Sequence, residues 1–162
     1  MDARELDNAL GKKIIEFVED KKMPFGIKKR KIEYLIKQGA NIEAKNELDR
    51  TALMVSCISG DKEVAELLLS KGAFVEATDF NDVTPLMWAS VYGHKDVVEL
   101  LLNKGANVWA VDNCGQNALK YAMDNWHKDV IEVLEKSKKA NSYIPKEDVD
   151  KGFFSKLFDR LR

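Results

Sequence analysis

Two histidines, His94 and His127, are the side chains in this sequence best suited to acid–base or metal chemistry near neutral pH. No acidic residue forms a catalytic motif with either of them. No G-x-S-x-G, P-loop or G-x-G-x-x-G sequence occurs anywhere in the chain. Because the two histidines lie 33 residues apart, they represent one structural position that occurs twice. The sequence therefore predicts no enzyme, no cofactor and no metal site.

The same spacing of 33 residues recurs along the chain, which predicts a repeated structural unit. Three copies of one segment are Gly39-Ala40-Asn41-Ile42, Gly72-Ala73-Phe74-Val75 and Gly105-Ala106-Asn107-Val108. Three copies of another are Thr51-Ala52-Leu53-Met54, Thr84-Pro85-Leu86-Met87 and Asn117-Ala118-Leu119-Lys120.

The clearest copy runs from Thr84 to Val108. Thr84 is suited to cap a helix that begins with Pro85, and Gly93 breaks that helix. An apolar second helix follows, and Gly105 stands where a helix usually ends. Each unit is thus predicted to be a helix–turn–helix that needs neighbours to bury its apolar faces.

The period, the T-P-L and G-H motifs and the L-L-L run before G-A-N-V resemble the ankyrin repeat over residues 27–136. The resemblance implies an all-α solenoid of stacked helix–turn–helix units with short β-hairpin fingers. We expect a domain over 1–139, with an N-terminal cap (1–38) and repeats at 41–72, 74–105 and 107–136. A linker (140–151) and a C-terminal amphipathic helix (152–162) follow.

Several residues depart from the family pattern. Asp49 and Asp82 stand where the family usually has the turn glycine that survives as Gly115, and aspartate tolerates positive φ better than most residues. In the fourth unit Trp126 replaces the helix-breaking glycine, and Glu135 stands where earlier units have leucine. A carboxylate there predicts that the regular stack ends with this unit.

The N-terminal region predicts a helix over residues 4–20, a connector containing Pro24, and a second helix from Ile27 to Gln38. The run Lys28-Lys29-Arg30-Lys31 in this second helix is predicted to be a solvated face. The alternative, a nuclear-localisation or nucleic-acid patch, lacks the interleaved aromatic residues that would stack on bases.

Composition indicates an ordinary helix-rich globular protein, since 45% of the 162 residues are hydrophobic and 33% are charged. The formal net charge of −1 gives no bulk attraction to nucleic acid. No signal peptide and no run of about 18 apolar residues is present. Cys57 and Cys114 do not form a C-x-x-C pair, so we expect free thiols. We therefore expect a monomeric cytoplasmic protein.

The C-terminal segment carries its apolar residues on one predicted helical face and its charges opposite. Those apolar residues are Phe153, Phe154, Leu157, Phe158 and Leu161. Three roles stay open: covering the end of the last repeat, binding a partner, or lying on a membrane surface. Membrane contact is expected only through residues 152–162.

The resemblance implies a non-enzymatic scaffold that binds another protein through its finger tips and the concave inner-helix face. Carried to matching positions, the candidate partner-binding residues are Leu48, Arg50, Ile58, Phe80, Asn81, Val83, Val91, Tyr92, Trp109, Asn113, Gln116, Asp124 and Asn125. The third unit, with Phe80, Val83, Val91 and Tyr92, together with Trp109, forms the predicted aromatic centre. The alternative is that Phe80 and Trp109 cover neighbouring hairpins. Trp88 is predicted to pack between repeats.

Overall fold

A computed structural model of the chain describes residues 2–142, and side chains through residue 139. The remaining predicted linker residues and the predicted C-terminal helix lie outside the described residues. Within the described range the chain forms eight helices: α1 (Ala3–Glu19), α2 (Phe25–Lys37), α3 (Ala52–Ser59), α4 (Lys62–Ser70), α5 (Pro85–Val91), α6 (Lys95–Asn103), α7 (Ala118–Asp124) and α8 (Lys128–Ser142).

The helices form four pairs that stack in chain order, which confirms the all-α repeat fold. The inner helices α1, α3, α5 and α7 pack successively on one another, and so do the outer helices α2, α4, α6 and α8. Helix α8 runs to Ser142, which is three residues into the range predicted as a linker. Glu135 on α8 is exposed, whereas its counterparts Leu69 and Leu102 are half-buried.

The inner helices begin where the sequence predicts, because each has a side chain that accepts an otherwise unpaired backbone N–H. Thr51 accepts from Met54 N at 3.4 Å, and Thr84 accepts from Met87 N at 3.3 Å. Asn117 accepts from Lys120 N at 3.0 Å, so asparagine replaces threonine without loss of the cap.

The core lies between the inner and outer layers and repeats with the sequence period. One fully buried row consists of Val64, Val97 and Val130, and another of Leu68, Leu101 and Leu134. Burying a leucine side chain contributes about 1.5–3 kcal/mol. Neighbouring units share these rows, so each unit buries in the stack the apolar side chains that it could not bury alone.

The loops between units are tight turns, and the predicted β-hairpin fingers are not confirmed. In the described part of the chain, pairing of strand type is limited to one isolated antiparallel bridge, between Lys45 and Thr51. The turns place Asp49 and Asp82 at φ of 57° and 59°, where Gly115 has 74°. The predicted tolerance of aspartate for this left-handed geometry is confirmed.

A histidine ring links each of the last two units to the unit before it. The Nε2 atom of His94 lies 3.0 Å from the carbonyl oxygen of Ile58, and that of His127 lies 3.0 Å from the carbonyl oxygen of Val91. Both rings lie directly against a glycine of the preceding unit, Gly60 and Gly93 respectively. The two histidines therefore hold the equivalent positions that the sequence predicts.

In the fourth unit, the last of the described stack, Trp126 replaces the glycine that faces a histidine ring in the earlier units. Gly93 has a φ of 72°, and a β-carbon there would lie 2.4 Å from Nδ1 of His127. Trp126 holds the same place with a φ of 60° and a side chain that is 82% exposed. No described residue places a ring against Trp126, so a side chain has room there and only the backbone strain remains.

Lys28 corrects the prediction of a fully solvated basic run. Helix α2 begins at Phe25, two residues earlier than predicted, and Lys28 in its first turn is buried. Its Nζ donates to the carbonyl oxygen of Val18 at 3.2 Å and to Oδ2 of Asp61 at 3.1 Å. The ammonium therefore connects α1, α2 and the start of α4, because a buried charge needs such partners.

Replacing Gly93 by alanine should destabilise the fold more than the same change at Gly105. Both positions have a positive φ, which costs an alanine about 1–2 kcal/mol, but only Gly93 faces a ring. The displaced ring should cost a further 1–3 kcal/mol, roughly. The measurement is the free energy of unfolding in urea for Gly93→Ala and Gly105→Ala. Equal losses would show that the histidine ring does not constrain this site.

Removing one charge of the buried Lys28–Asp61 pair should cost more than removing both. Asp61→Asn keeps the cap on Val64 N but leaves the ammonium without its counter-ion, and we expect a loss of about 3–5 kcal/mol. Lys28→Met with Asp61→Asn should recover most of that loss. The free energies of unfolding of both variants decide this, and a double variant no more stable than Asp61→Asn would contradict it.

Candidate functional site

Two hollows share Leu48 and Arg50 and extend from the N-terminal helix pair to the fourth unit, and together we call them the Arg50 groove. One hollow has a volume of about 410 Å³ and the other about 550 Å³, and Leu48 and Arg50 line both. The first is also lined by Asp79, Phe80, Asn81, Val83, Trp88, Asp112, Asn113, Cys114 and Tyr121. The second is also lined by Glu19, Lys21, Asn46, Val55, Ile58, Ser59, Tyr92 and His94.

The floor of the first hollow is fixed by Asp79, which ties its turn to helix α5. Oδ1 of Asp79 accepts the backbone N–H of Asn81 at 2.9 Å and of Val83 at 3.2 Å. Oδ2 accepts from Nε1 of Trp88 at 3.1 Å. Both carboxylate oxygens of Asp79 therefore bind donors of the third unit itself.

Asp112 repeats this arrangement in the fourth unit. It accepts the backbone N–H of Cys114 and of Gln116, both at 2.8 Å, and the hydroxyl of Tyr121 donates to it at 2.5 Å. Burial by itself raises the pKa of Asp112, but these three hydrogen bonds outweigh it and hold the pKa below its usual value. Burial and the nearby Asp112 carboxylate raise the pKa of Tyr121 to about 12.

Arg50 lies on the face of Trp88 and makes the centre of the groove. The guanidinium carbon of Arg50 is 4.2 Å from the Trp88 ring centroid, and this cation–π contact joins the second unit to the third. The Nε atom of Arg50 is buried without a hydrogen-bond partner. Among the described residues Arg50 forms no ion pair.

Three aromatic rings continue the surface away from Arg50. Trp88 and Tyr92 have ring centroids 6.3 Å apart with planes inclined by 26°, and Tyr92 and His94 are also 6.3 Å apart, with planes inclined by 13°. Trp88 packs against the core, as predicted, but it also lines the groove. The surface therefore consists of a row of three rings, with the Arg50 cation lying on the first of them.

Seven of the predicted residues line the groove and have side chains that are at least partly exposed: Leu48, Arg50, Ile58, Phe80, Asn81, Tyr92 and Asn113. Phe80 is 71% exposed, and Leu48 and Tyr92 are exposed as well. Val83 corrects the prediction of an exposed tip, because its side chain is only 5% exposed and packs into the core.

Trp109, which the sequence groups with Phe80, does not line the groove, and its described ring contact is with α8. Nζ of Lys138 on α8 stands 4.6 Å from the Trp109 ring centroid. At the equivalent position of earlier units, Glu43 accepts the backbone N–H of Phe74 and Glu76 that of Asn107, both at 2.9 Å. This position faces the next outer-helix loop, so an aromatic residue there contacts α8.

The remaining predicted residues are bound within their own unit or along the stack. The carbonyl of Val91 contacts His127, and Gln116 pairs with Asp112 through its backbone. Asp124 forms an ion pair with Lys120, and Nδ2 of Asn125 donates to the carbonyl oxygen of Tyr121 at 2.9 Å. None of these four lines the groove.

Sequence reasoning missed the part played by Trp88, Asp79, Asp112 and Tyr121. A signal for them exists, since an aspartate is followed nine residues later by an aromatic donor in both the third and the fourth unit. The second unit has Asn46 and Val55 at these positions, and it lacks such a tie.

Both cysteines are free thiols, and Cys114 lines the first hollow of the groove. Burial raises the pKa of the Cys57 thiol to about 12, so it is protonated at neutral pH, and Cys114 is exposed at a turn. In residues 2–142 no three His, Cys, Asp or Glu side chains are grouped so that they could hold a metal ion. None of the helices within that range is long and apolar enough to cross a membrane.

The comparisons with known proteins agree with the geometry. A family model described as ankyrin repeats (3 copies) matches residues 26–112 and 80–144, which together make up most of the chain. A search of curated proteins gave no match.

Removing the Tyr121 hydroxyl should lower stability in a manner that depends on pH. The pKa of Tyr121 is raised from about 10 in the unfolded chain to about 12 in the fold. Its contribution is therefore complete below pH 10, roughly, and is lost as the pH rises toward 12. We expect Tyr121→Phe to lose about 1–3 kcal/mol at pH 8, and less as the pH passes 10. Urea unfolding across this range checks the prediction, and a deficit that stays constant would contradict it.

Proposed function

Because the chain belongs to the ankyrin repeat family, whose members generally serve as protein-interaction modules, we propose that it is a non-enzymatic scaffold with a partner protein bound in the Arg50 groove. The observation that supports this site most strongly is the guanidinium of Arg50, which lies on the Trp88 ring and forms no ion pair with any described residue.

The chemistry of Arg50 favours an acidic group on the partner. A guanidinium presents donors in a planar fork that matches a carboxylate, and such hydrogen bonds are among the strongest in proteins. The two carboxylates that line the first hollow with Arg50, Asp79 and Asp112, already accept hydrogen bonds from their own units. These two aspartates hold the floor of the first hollow in place, and the partner supplies the hydrogen-bond acceptor for the Arg50 guanidinium.

The residues around Arg50 favour apolar side chains beside that acidic group. Leu48, Phe80 and Tyr92 are exposed on either side of it, and exposed aromatic residues provide much of the binding energy at interfaces. The partner segment proposed here thus carries an aspartate or glutamate with apolar neighbours, and it lies across the second and third units.

Random peptides displayed on phage and selected on the full chain provide a ligand for the test. Peptides that bind are synthesised, and their affinities are measured for the wild type, for Arg50→Lys, and for Phe74→Ser as a matched control. Phe74 is an exposed phenylalanine outside the groove. Because Arg50→Lys keeps the charge but removes the fork, we expect about a tenfold loss, equal to about 1.4 kcal/mol.

Phe74→Ser should bind like the wild type, and changing the peptide's acidic residue to its amide should cost as much as Arg50→Lys. Circular dichroism establishes that both protein variants keep the helical fold. Selected peptides that bind Arg50→Lys as tightly as the wild type, or that tolerate the amide, would overturn the assignment of Arg50.

A further inference from the structure

We propose that the outward face of α1 and α2, which we call the N-terminal end face, is a second docking site and that its occupant is an acidic amphipathic helix of a partner protein. This face is distinct from the Arg50 groove and shares no lining residue with it. It contains a hollow of about 550 Å³ with an apolar floor formed by Phe17, Ile27, Tyr34 and Leu35.

The repeat register shows what this face is built to contact. Tyr34 holds the position of Leu67 in the second unit and Leu100 in the third, each 33 residues further on. Leu67 and Leu100 are 7% and 8% exposed, whereas Tyr34 is 62% exposed.

The direction in which Leu67 points is given by its neighbour on the helix. Lys71 lies one turn after Leu67 on the same face of α4, and its Nζ is 3.1 Å from Oε1 of Glu33 in the preceding pair. Leu67 is therefore buried against the helix pair before it. Tyr34 belongs to the first described pair, and no helix of residues 2–142 packs on its stacking face.

Stacking faces inside this protein are occupied by helices, since α4 packs on α2 and α6 packs on α4. At the N-terminal end face Tyr34 holds this stacking position, and Phe17, Ile27 and Leu35 complete an apolar floor around it. A helix with apolar residues at three- and four-residue spacing is accordingly the occupant that its shape accepts.

The charges around the floor specify the other face of that helix. Lys13, Arg30 and Lys31 line the hollow, and no acidic residue does. Nζ of Lys31 stands 4.6 Å from the Phe17 ring centroid, and Nε of Arg30 donates to the carbonyl oxygen of Gly26 at 3.4 Å. Within residues 2–142 none of these three cations forms an ion pair.

Inside the stack one such contact pairs a lysine with a glutamate, Lys71 with Glu33, whereas the lining of the end face carries three cations and no carboxylate. Carboxylates on the incoming helix pair with these cations. The charge of the chain's own residues 152–162 does not complement this lining, because they contain Lys156, Arg160 and Arg162 against a single Asp159.

The test uses a displayed library built on one helical peptide, in which the residues of one face vary among Leu and Phe and those beside it among Glu, Gln and Lys. The library is selected on the full chain, and the selected peptides are measured by fluorescence anisotropy. Tyr34→Glu places a charge on the floor and should weaken binding at least tenfold. Tyr34→Leu restores the residue of the later units and should bind like the wild type.

Three further readouts decide the chemistry. The selected peptides should be enriched in Glu over Lys, Arg30→Gln with Lys31→Gln should weaken them, and Arg50→Lys should leave them unchanged. That last result separates this site from the proposed groove.

The proposal is overturned if no selected peptide depends on Tyr34, or if Tyr34-dependent peptides show no preference for Glu. Flotation with vesicles of phosphatidylglycerol and phosphatidylcholine addresses a lipid surface. Flotation that depends on Tyr34, without any Tyr34-dependent peptide, would assign the face to a membrane instead and would also overturn the proposal.

Discussion

The fit of a histidine ring against a glycine of the preceding unit is the constraint on which the arrangement of the last three units depends. His94 reaches the carbonyl oxygen of Ile58 and His127 that of Val91, both at 3.0 Å, because Gly60 and Gly93 lack a side chain. This contact sets how closely the inner helices stack. It thereby sets which loop residue of one unit meets which helix residue of the next.

The Arg50 groove is a product of that stacking. Arg50 precedes the inner helix of the second unit, and Trp88 lies on the inner helix of the third, so neither unit alone contains the site. Asp79 holds Trp88 in place by accepting a hydrogen bond from its ring N–H. The exposed Phe80 and Tyr92 also line the groove. An arginine held on an aromatic ring without an ion-pair partner among the described residues is therefore a feature of two units stacked in register, and the proposed acidic ligand is inferred from it.

The sequence predicted those parts of the fold that local chemistry determines. The caps at Thr51, Thr84 and Asn117, the left-handed Asp49 and Asp82, and the paired histidines all follow from residue type and the period of 33. The side-chain contacts between units were harder to predict from the sequence. Lys28 is buried with its ammonium bound to the carbonyl oxygen of Val18 and the carboxylate of Asp61, and Trp109 contacts Lys138 on α8. The contact between Arg50 and Trp88 depends on the distance between stacked units, which the repeat period of the sequence does not specify.

Site-specific photo-crosslinking tests the central claim most directly, namely that a ligand lies across the second and third units at Arg50. Benzoylphenylalanine is placed at position 80, beside Arg50, or at position 74, which is exposed outside the groove, and each protein is irradiated with an acidic peptide selected on the wild-type chain. We expect a crosslinked product from position 80 and none from position 74. Crosslinking from position 74 alone, or equally from both, would contradict it.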